Sequence, residues 1–212
     1  MFDKEMRRAA VRSHLVYSST LRHKNEQILL DQKKQSGDVV EIVSIAGSND
    51  VIDWLQNLDL RQVLIPNSPG IKVSKGVFDA AANVISALDL DRKKTYQFEG
   101  HSKGGAVAQV AALFLHFHRY RIERVITFGA PRITRSKFAN PFDVTNAEAM
   151  GDPVPWVPRW LPWRPFRFGW RHNGQRIRIG RATMASRTNE WFLIRRMIKS
   201  HLMPNYLNLL GA

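Results

Sequence analysis

A serine flanked by small residues lies between a β-rich segment and an apolar segment. In GHSKG, residues 100–104, glycines stand two places before and two places after Ser102. The preceding TYQFE predicts a strand, and the apolar residues after it predict a helix over 104–118. A serine in such a strand-to-helix turn exposes its hydroxyl, and the small residues let neighbouring backbones approach closely. Ser102 is therefore the predicted nucleophile; the alternative is a glycine-rich turn whose serine only caps a helix.

A serine hydroxyl needs a general base, and the base needs a carboxylate to orient it. Asp152 lies in the rigid segment GDPVP after a predicted strand, and His201 falls between two predicted helical segments. Serine, then acid, then histidine is the order in which α/β-hydrolases carry a catalytic triad. Ser102, Asp152 and His201 are therefore the predicted nucleophile, acid and base.

Two downstream residues are alternatives to the predicted acid and base. Asp143 is the second candidate for the acid, although its position favours a turn or a strand edge. His172 lies within RHNGQRIRIG, where a structural hydrogen bond is the ordinary expectation for a histidine. Order and context favour His201 over His172 as the base.

The remaining pattern alternates between strands and helices. It predicts strands at 39–45, at QVLIPN (62–67), at 95–100, at 124–131, within 142–155 and at GQRIRIG (174–180). It predicts helices over roughly the first thirty residues, up to the charged run DQKKQSGD, and at 51–58, 75–88, 104–118, 189–198 and 202–210. Such alternation favours an α/β fold, the α/β-hydrolase fold, with a mostly parallel sheet and helices on both faces. Residues 1–212 are predicted to form one domain.

Charge and cysteine content limit the function classes. The chain has a formal net charge of +14 and a sequence pI near 10.6, so an anionic lipid surface, a nucleic acid or simply a basic solvated face must be considered. No nucleic-acid-binding motif is present, so no specific nucleic acid is expected. With no cysteine, a thiol nucleophile and disulfides are excluded.

Targeting signals are not visible in the sequence. The first twenty residues mix charges of both signs and contain no apolar core of signal-peptide length, so a cytoplasmic location is favoured. The most apolar stretch, residues 106–115, is too short to span a bilayer of about 30 Å. It is expected to be a buried helix.

Several segments, in order along 39–210, resemble the class 3 lipases, the fungal-type triacylglycerol lipases and their relatives. They are VSIAGSNDVIDWLQNL (43–58), GIKVSKGVF (70–78), FEGHSKGGAVA (98–108), VITFGAPRI (125–133), NAEAMGDPVPWVP (146–158) and SHLMPNYL (200–207). The resemblance implies that the backbone N–H groups of Ser48 and Lys103 line an oxyanion hole. Ser48 could equally cap the following helix. The resemblance also implies that 51–58, with Trp54, is a lid; an ordinary packed surface helix is the alternative.

Three positions depart from the family pattern. Ala46 stands where an Arg usually precedes the oxyanion glycine, Ser74 replaces a common His, and Lys103 replaces an apolar residue. An ammonium at Lys103 could favour anionic substrates or could point to solvent. These departures leave the triad positions filled.

A basic, tryptophan-rich stretch, WVPRWLPWRPFRFGWR (156–171), follows the predicted acid. Tryptophan and arginine together are typical of a water–lipid interface, which suggests peripheral contact with an anionic membrane or lipid droplet. The alternative is that several of these tryptophans line the core or a pocket.

The sequence therefore predicts a serine carboxylester hydrolase that cleaves lipid esters through an acyl-enzyme. Phospholipase A1-like hydrolysis and acyl transfer at the same site are alternatives. A basic binding module on an inactive hydrolase fold is a third possibility, from a different class. The proposed chemistry needs no metal and no cofactor.

Overall fold

The computed structural model describes residues 3–18, 22–23, 26–35, 37–48, 57–157, 169–180 and 201–212. The helices are α1 (Lys4–Leu15), α2 (Lys75–Ser86), α3 (Lys103–Phe117) and α4 (Met203–Leu210), with short 3₁₀ turns at Val16–Ser18 and Val154–Trp156. The strands are β1 (Arg22–His23), β2 (Glu26–Gln35), β3 (Asp38–Ile45), β4 (Gln62–Leu64), β5 (Lys72–Ser74), β6 (Thr95–His101), β7 (Arg121–Phe128), β8 (Asp143–Ala149) and β9 (Gln175–Ile179).

A seven-stranded sheet forms the centre of the fold. Its order is β1-β2-β3-β6-β7-β8-β9, and the five strands from β3 to β9 in this order run parallel. The carboxyl ends of parallel strands meet at one edge of the sheet, which is where open α/β sheets bind ligands. The predicted mostly parallel sheet is confirmed.

Helices cover both faces of this sheet, as the alternation of elements predicts. On one face, α2 and α3 pack over the larger apolar core, and α3 is buried almost all round, as its uniformly apolar sequence requires. On the other face, α1 and α4 pack over a second apolar cluster. In the part of the chain that the structure describes, no helix is both long and apolar enough to cross a bilayer.

The prediction of a helix through the first thirty residues is wrong beyond α1. The charged run at 31–35 belongs to β2, which pairs antiparallel with β3 from Ile28↔Ile45 to Gln35↔Asp38. Its neighbour β1 is only two residues long, so most of β2 is effectively an edge strand. Charged side chains suit an exposed edge, where they oppose pairing with other chains. The polar composition of β2 is therefore the reason that this strand was predicted as part of a helix.

Other predicted elements agree with the structure where they are described. The strand predicted at 62–67 is shorter, Gln62–Leu64, and pairs with β5 in a separate two-stranded sheet. The predicted helix 189–198 and most of 51–58 lie outside the described residues.

A buried ion pair fixes α1 against the sheet. The Arg12 guanidinium donates to the fully buried carboxylate of Glu99 on β6, with 2.9 Å between Nε and Oε2. Ser44 Oγ on β3 donates to the same carboxylate oxygen at 3.2 Å. A buried carboxylate is retained only when it is paired and hydrogen-bonded. The pair thus holds the end of α1, and the turn after it, beside the carboxyl ends of β3 and β6.

Candidate active site

The turn between β6 and α3 holds Ser102 in an unusual backbone conformation. Its φ is 55° and its ψ is −127°, and its side chain is buried. A positive φ in a residue with a Cβ costs about 1–3 kcal/mol and persists only where the surroundings impose it. The Ser102 N–H donates to the carbonyl of Phe128 at the end of β7, 2.9 Å away. A Cβ at Gly100 would overlap the backbone of Gly104, which explains why small residues flank the serine.

Asp152 and His201 lie together beyond the ends of the next strands. His201 Nδ1 is 2.8 Å from Asp152 Oδ2, and both side chains are buried. The carboxylate is fully hydrogen-bonded: the Val154 N–H donates to Oδ1 at 2.9 Å, and the Tyr206 hydroxyl donates to Oδ2 at 2.6 Å. The Tyr206 oxygen in turn accepts the Ala149 N–H at 3.0 Å.

This arrangement fixes the tautomer of His201. Because the carboxylate oxygen only accepts, Nδ1 carries the proton and Nε2 presents a lone pair. Within the described residues, His201 Nε2 and Ser102 Oγ are both buried and have no hydrogen-bond partner. A hydroxyl and an imidazole lone pair left in this way are the two groups that a nucleophile and its general base require.

Gly129 connects the elements that carry these residues. It follows β7 with a φ of +58°, directly after the carbonyl that accepts the Ser102 N–H. A Cβ at this position would lie 2.6 Å from Asp152 Oδ2 and 3.1 Å from His201 Cε1. Only glycine tolerates both the backbone conformation and the close approach. The sequence pattern identified Gly129 only as the end of a strand.

A second buried histidine packs against His201. The rings of His101 and His201 stack with their centroids 4.6 Å apart, and His101 Nε2 is 2.6 Å from the carbonyl oxygen of His201. Since a carbonyl only accepts, Nε2 carries the proton and Nδ1 accepts from the Tyr17 hydroxyl, 2.7 Å away. Burial lowers the pKa of His101 well below its usual value, and the nearby His201 lowers it further. His101 is therefore a neutral residue that holds the backbone of His201.

Tyr17 links this histidine to the loop after β3. Its oxygen accepts the Gly47 N–H at 3.2 Å, and burial raises the pKa of the phenol to about 12. A Cβ at Gly47 would lie 3.0 Å from Ser102 Cβ, so the loop that leads to Ser48 passes directly beside the serine. Neither Tyr17 nor His101 was predicted as a site residue. A half-buried tyrosine within a predicted polar helix carries no local signal of this role.

Ser48 and Lys103, the residues expected to line an oxyanion hole, belong to two different segments that adjoin Ser102. Ser48 follows Gly47 in the loop after β3, and Lys103 is the first residue of α3. The first N–H groups of a helix have no intrahelical acceptor and favour negative charge. Most of the helix predicted at 51–58, which Ser48 could cap, lies outside the described residues.

The side chain of Lys103 neither points to solvent nor presents a free charge to a substrate, the two possibilities considered from the sequence. Its ammonium pairs with Glu26 Oε1 at 2.6 Å, and the two side chains are only 14% and 3% exposed. Burial raises the pKa of Glu26, and the ammonium of Lys103 opposes that rise. The Lys103 charge is therefore compensated inside the protein.

The loop that carries Asp152 is held by side chains from two other segments. The carbonyl of Pro155 accepts from Arg132 Nε at 3.1 Å and from His172 Nε2 at 2.7 Å. Burial lowers the pKa of His172 to about 4, so the imidazole is neutral. Arg132 also donates to the carbonyl of Trp170 at 3.0 Å. The geometry of His172 agrees with the structural hydrogen bond expected from sequence.

The second candidate acid lies at the opposite end of its strand. Asp143 begins β8, is exposed and pairs in register with Arg124, whereas Asp152 follows the carboxyl end of the same strand. The predicted lid with Trp54 lies outside the described residues, as do Trp160 and Trp163. At the ends of the tryptophan-rich stretch, Trp156 is 40% exposed and Trp170 is buried.

The fold and this site define an α/β-hydrolase. A serine in a strained turn after a central parallel strand is followed along the chain by an aspartate and a histidine that are hydrogen-bonded to each other. Two solved structures share this fold: a triacylglyceride lipase from Rhizomucor miehei and a triacylglycerol lipase whose catalytic centre is a serine protease triad. The first is 20% identical with a TM-score of 0.63, over 84% of this chain and 82% of the other. The second is 20% identical with a TM-score of 0.64, over 84% and 80%.

Comparison of sequences identifies the family. The model of the family "Lipase (class 3)" matches residues 42–161, more than half of the chain, so the chain belongs to the class 3 lipases. A secreted mono- and diacylglycerol lipase from Fusarium solani is 33% identical over 147 residues. The match covers 62% of this chain but only 41% of that protein.

Replacement of Gly129 by alanine is expected to disturb the Asp152–His201 pair beyond its effect on the backbone. The new Cβ would strain the positive φ, at about 1–2 kcal/mol of unfolding free energy, and would displace Asp152 Oδ2. Restoring ordinary van der Waals contact would move Oδ2 by about 1 Å, and a misplacement of about 1 Å can cost about 10²-fold in rate. The measurement is the rate at which a fluorophosphonate labels Ser102, with denaturant unfolding in parallel. Gly70→Ala is the control, because Gly70 has a φ of +82° and no atom within 4 Å of its added Cβ. Equal labelling rates in the two variants would contradict the expectation.

His172 is expected to make stability depend on pH in a defined window. The folded chain binds the His172 proton with a pKa of about 4 rather than 6.5, so the unfolded chain takes up the proton first as pH falls. Its contribution to stability is present above pH 6.5 and is lost as pH falls towards 4, by about 1.4 kcal/mol per pH unit. His172→Gln keeps an N–H donor but does not titrate. The difference between the wild-type and variant unfolding free energies should follow this slope, and a difference independent of pH would contradict it.

Proposed function

We propose that the chain is a serine carboxylester hydrolase that cleaves lipid esters, with Ser102 as nucleophile, His201 as general base and Asp152 as the acid that orients it. The observation that carries the proposal is a buried Ser102 in a strained turn directly after His101, whose ring stacks on His201. The Nδ1 of His201 is held by a fully hydrogen-bonded aspartate. Membership of the class 3 lipase family supports the same chemistry.

The reaction proceeds in two steps through an acyl-enzyme. Ser102 Oγ attacks the ester carbonyl while its proton passes to His201 Nε2, and the resulting imidazolium is stabilised by Asp152. The proton then passes to the departing alcohol as the C–O bond breaks, leaving the acyl group on Ser102. A water molecule, deprotonated by His201, attacks the acyl-enzyme and releases the carboxylic acid and free Ser102.

The N–H groups of Ser48 and Lys103 stabilise the negative oxygen of each tetrahedral intermediate. Gly47 packs against Ser102, and Lys103 begins α3, so both N–H groups belong to segments adjoining the nucleophile. Removing one such donor typically costs about 10²–10³ in kcat.

The substrate class follows the relatives. The Fusarium solani protein is a mono- and diacylglycerol lipase, and the structural neighbours are triacylglycerol lipases. Acylglycerol esters are therefore the leading substrates. Because the chain matches only 41% of the length of the Fusarium solani protein, phospholipase A1-like hydrolysis and acyl transfer to an alcohol remain the alternatives to test at the same serine.

The test is hydrolysis of p-nitrophenyl and acylglycerol esters of several chain lengths by wild type and by three variants. Ser102→Ala should abolish turnover. Asp152→Asn should lower kcat by roughly 10⁴-fold, because the wrong histidine tautomer is then favoured. Asp143→Asn is the matched control and should retain activity, since Asp143 lies at the far end of β8.

The outcomes separate the candidate functions. Ester hydrolysis that survives Ser102→Ala, or that is lost equally in both aspartate variants, contradicts the proposed site. If added glycerol is acylated, so that a glycerol ester forms in place of the free carboxylic acid, acyl transfer is favoured. A wild-type chain inactive on every ester, with anionic vesicles present, favours a binding role.

We further propose that the active-site edge contacts an anionic lipid interface. Trp156, in the loop after Asp152, is 40% exposed. Met150, 38% exposed, lies in the loop before Asp152, and Leu202, 47% exposed, directly follows His201. Exposed apolar side chains suit insertion at a lipid interface, and the net charge of +14 favours anionic over zwitterionic headgroups.

Vesicle co-sedimentation tests this contact. The wild type should bind vesicles containing anionic phospholipid more tightly than purely zwitterionic vesicles, and Trp156→Ser should weaken that binding. Leu64→Ser is the control, because Leu64 is 52% exposed but lies on β4, outside the main sheet. Equal binding to both vesicle types would rule out the proposed preference.

A further inference from the structure

A buried ion pair lies directly beside the nucleophile, between two segments distant in sequence. Lys103 follows Ser102, and its Nζ is 2.6 Å from Oε1 of Glu26, the first residue of β2. The residues are 77 positions apart, and both side chains are largely excluded from solvent, at 14% and 3% exposure. Burying two charges costs several kcal/mol each in lost hydration, and an apolar pair of similar volume is often as stable. The stability of the fold therefore does not by itself explain why this ion pair is present.

The start of β2 is also bound to the loop that leads to Ser48. The carbonyl of Gln27 accepts the Ala46 N–H at 3.0 Å. The Gln27 side chain donates to the carbonyl of Tyr17 at 3.0 Å, and Tyr17 Oη accepts the Gly47 N–H. Gln27 therefore binds Ala46 directly and Gly47 through Tyr17, while the carboxylate of its neighbour Glu26 binds Lys103.

We propose that Glu26 and Lys103 are positioning residues for the oxyanion hole. Their ion pair joins the start of β2 to Lys103, the residue that supplies one N–H donor. The start of β2 also binds Ala46, two residues before the other donor, Ser48. The inference rests on the proposed function, in which these two N–H groups stabilise the tetrahedral intermediate.

Two physical consequences follow from this arrangement. The pair sets the direction of the first residue of α3, so its loss shifts an N–H group that acts only when negative charge develops on the substrate oxygen. An interaction made only in the transition state changes kcat rather than KM. The carboxylate also neutralises an ammonium that would otherwise lie uncompensated one residue from Ser102.

A double-mutant cycle tests the proposal with Glu26→Leu, Lys103→Met and the double variant, assayed on a soluble p-nitrophenyl ester. Each single variant leaves one buried charge without its partner, so kcat should fall roughly tenfold, a partial loss of one donor, with little change in KM. The double variant lacks the same pair, so its kcat should be no lower than that of either single variant, and the two effects should be non-additive. The fluorophosphonate labelling rate of Ser102 should follow the same pattern.

Controls separate positioning from general stability. Lys94→Met and Glu41→Gln break another lysine–glutamate pair, 2.8 Å apart, at the opposite end of the strands, and should leave kcat unchanged. Glu26→Gln keeps the shape and a hydrogen-bonding group if Glu26→Leu does not fold, and should lower kcat in the same direction. Circular dichroism establishes which variants are folded at the assay temperature.

Additive effects in the cycle, or folded single variants that keep wild-type kcat and lose only thermal stability, would overturn the inference while leaving the proposed function intact. A wild-type chain that neither hydrolyses esters nor is labelled at Ser102 would instead overturn the proposed function, and this inference with it.

Discussion

The close approach of α3 to the ends of the central strands determines the geometry of the whole site. A Cβ at Gly104 would overlap the carbonyl of Ile45 and lie 2.6 Å from that of Ala46, and a Cβ at Gly105 would lie 2.8 Å from the Gly100 carbonyl. With no side chain between helix and sheet, the helix begins in the same layer as the loop that leaves β3. The two proposed N–H donors therefore adjoin the nucleophile because of backbone packing, and the strained φ of Ser102 is the cost of this packing.

That strain is maintained by structure on the opposite face of the sheet. The Arg12–Glu99 pair holds α1 against β6, and Tyr17 in the turn after α1 contacts both His101 and Gly47. The hydrogen bond from His101 to the His201 carbonyl extends this support to the proposed base. Elements from the N-terminus, the centre and the C-terminus of the chain thus meet at one edge, so the turn cannot relax without disturbing several hydrogen bonds.

Local patterns predicted the parts of this site that depend on local structure. The Ser102 turn is encoded within a few residues, because glycines must flank a serine between a strand and a helix. The proposed acid and base follow from their order in the chain. The structure places Asp152 and His201 in contact, while Asp143 lies at the far end of β8. Strands of a parallel sheet are buried on both faces and have apolar sequences, so the central sheet could also be predicted from the sequence.

Features that depend on contacts between distant segments were not predictable from local patterns. Gly129 must be glycine because Asp152 and His201 pack against it. The local sequence around Gly129 indicates only the end of a strand and contains no sign of these two distant residues. The ammonium of Lys103 finds a carboxylate 77 residues away, which no spacing rule indicates. The polar sequence of β2 resembles a solvated helix until its partner β3 is known.

Two stacked histidines beside one nucleophile raise the question of which one takes up the proton. Burial keeps His101 neutral, and its two ring nitrogens are both engaged, one donating to the His201 carbonyl and the other accepting from Tyr17. His201 has a carboxylate on Nδ1, and its Nε2 has no partner among the described residues. A proton leaving Ser102 can therefore be stabilised on His201 by Asp152, whereas on His101 it would meet no carboxylate hydrogen-bonded to the ring and would break an existing hydrogen bond. Because His101 stays neutral at a ring distance of 4.6 Å, the imidazolium formed on His201 faces no positive charge from its stacked neighbour. The chain thus places a second histidine next to its proposed base without creating a competing base.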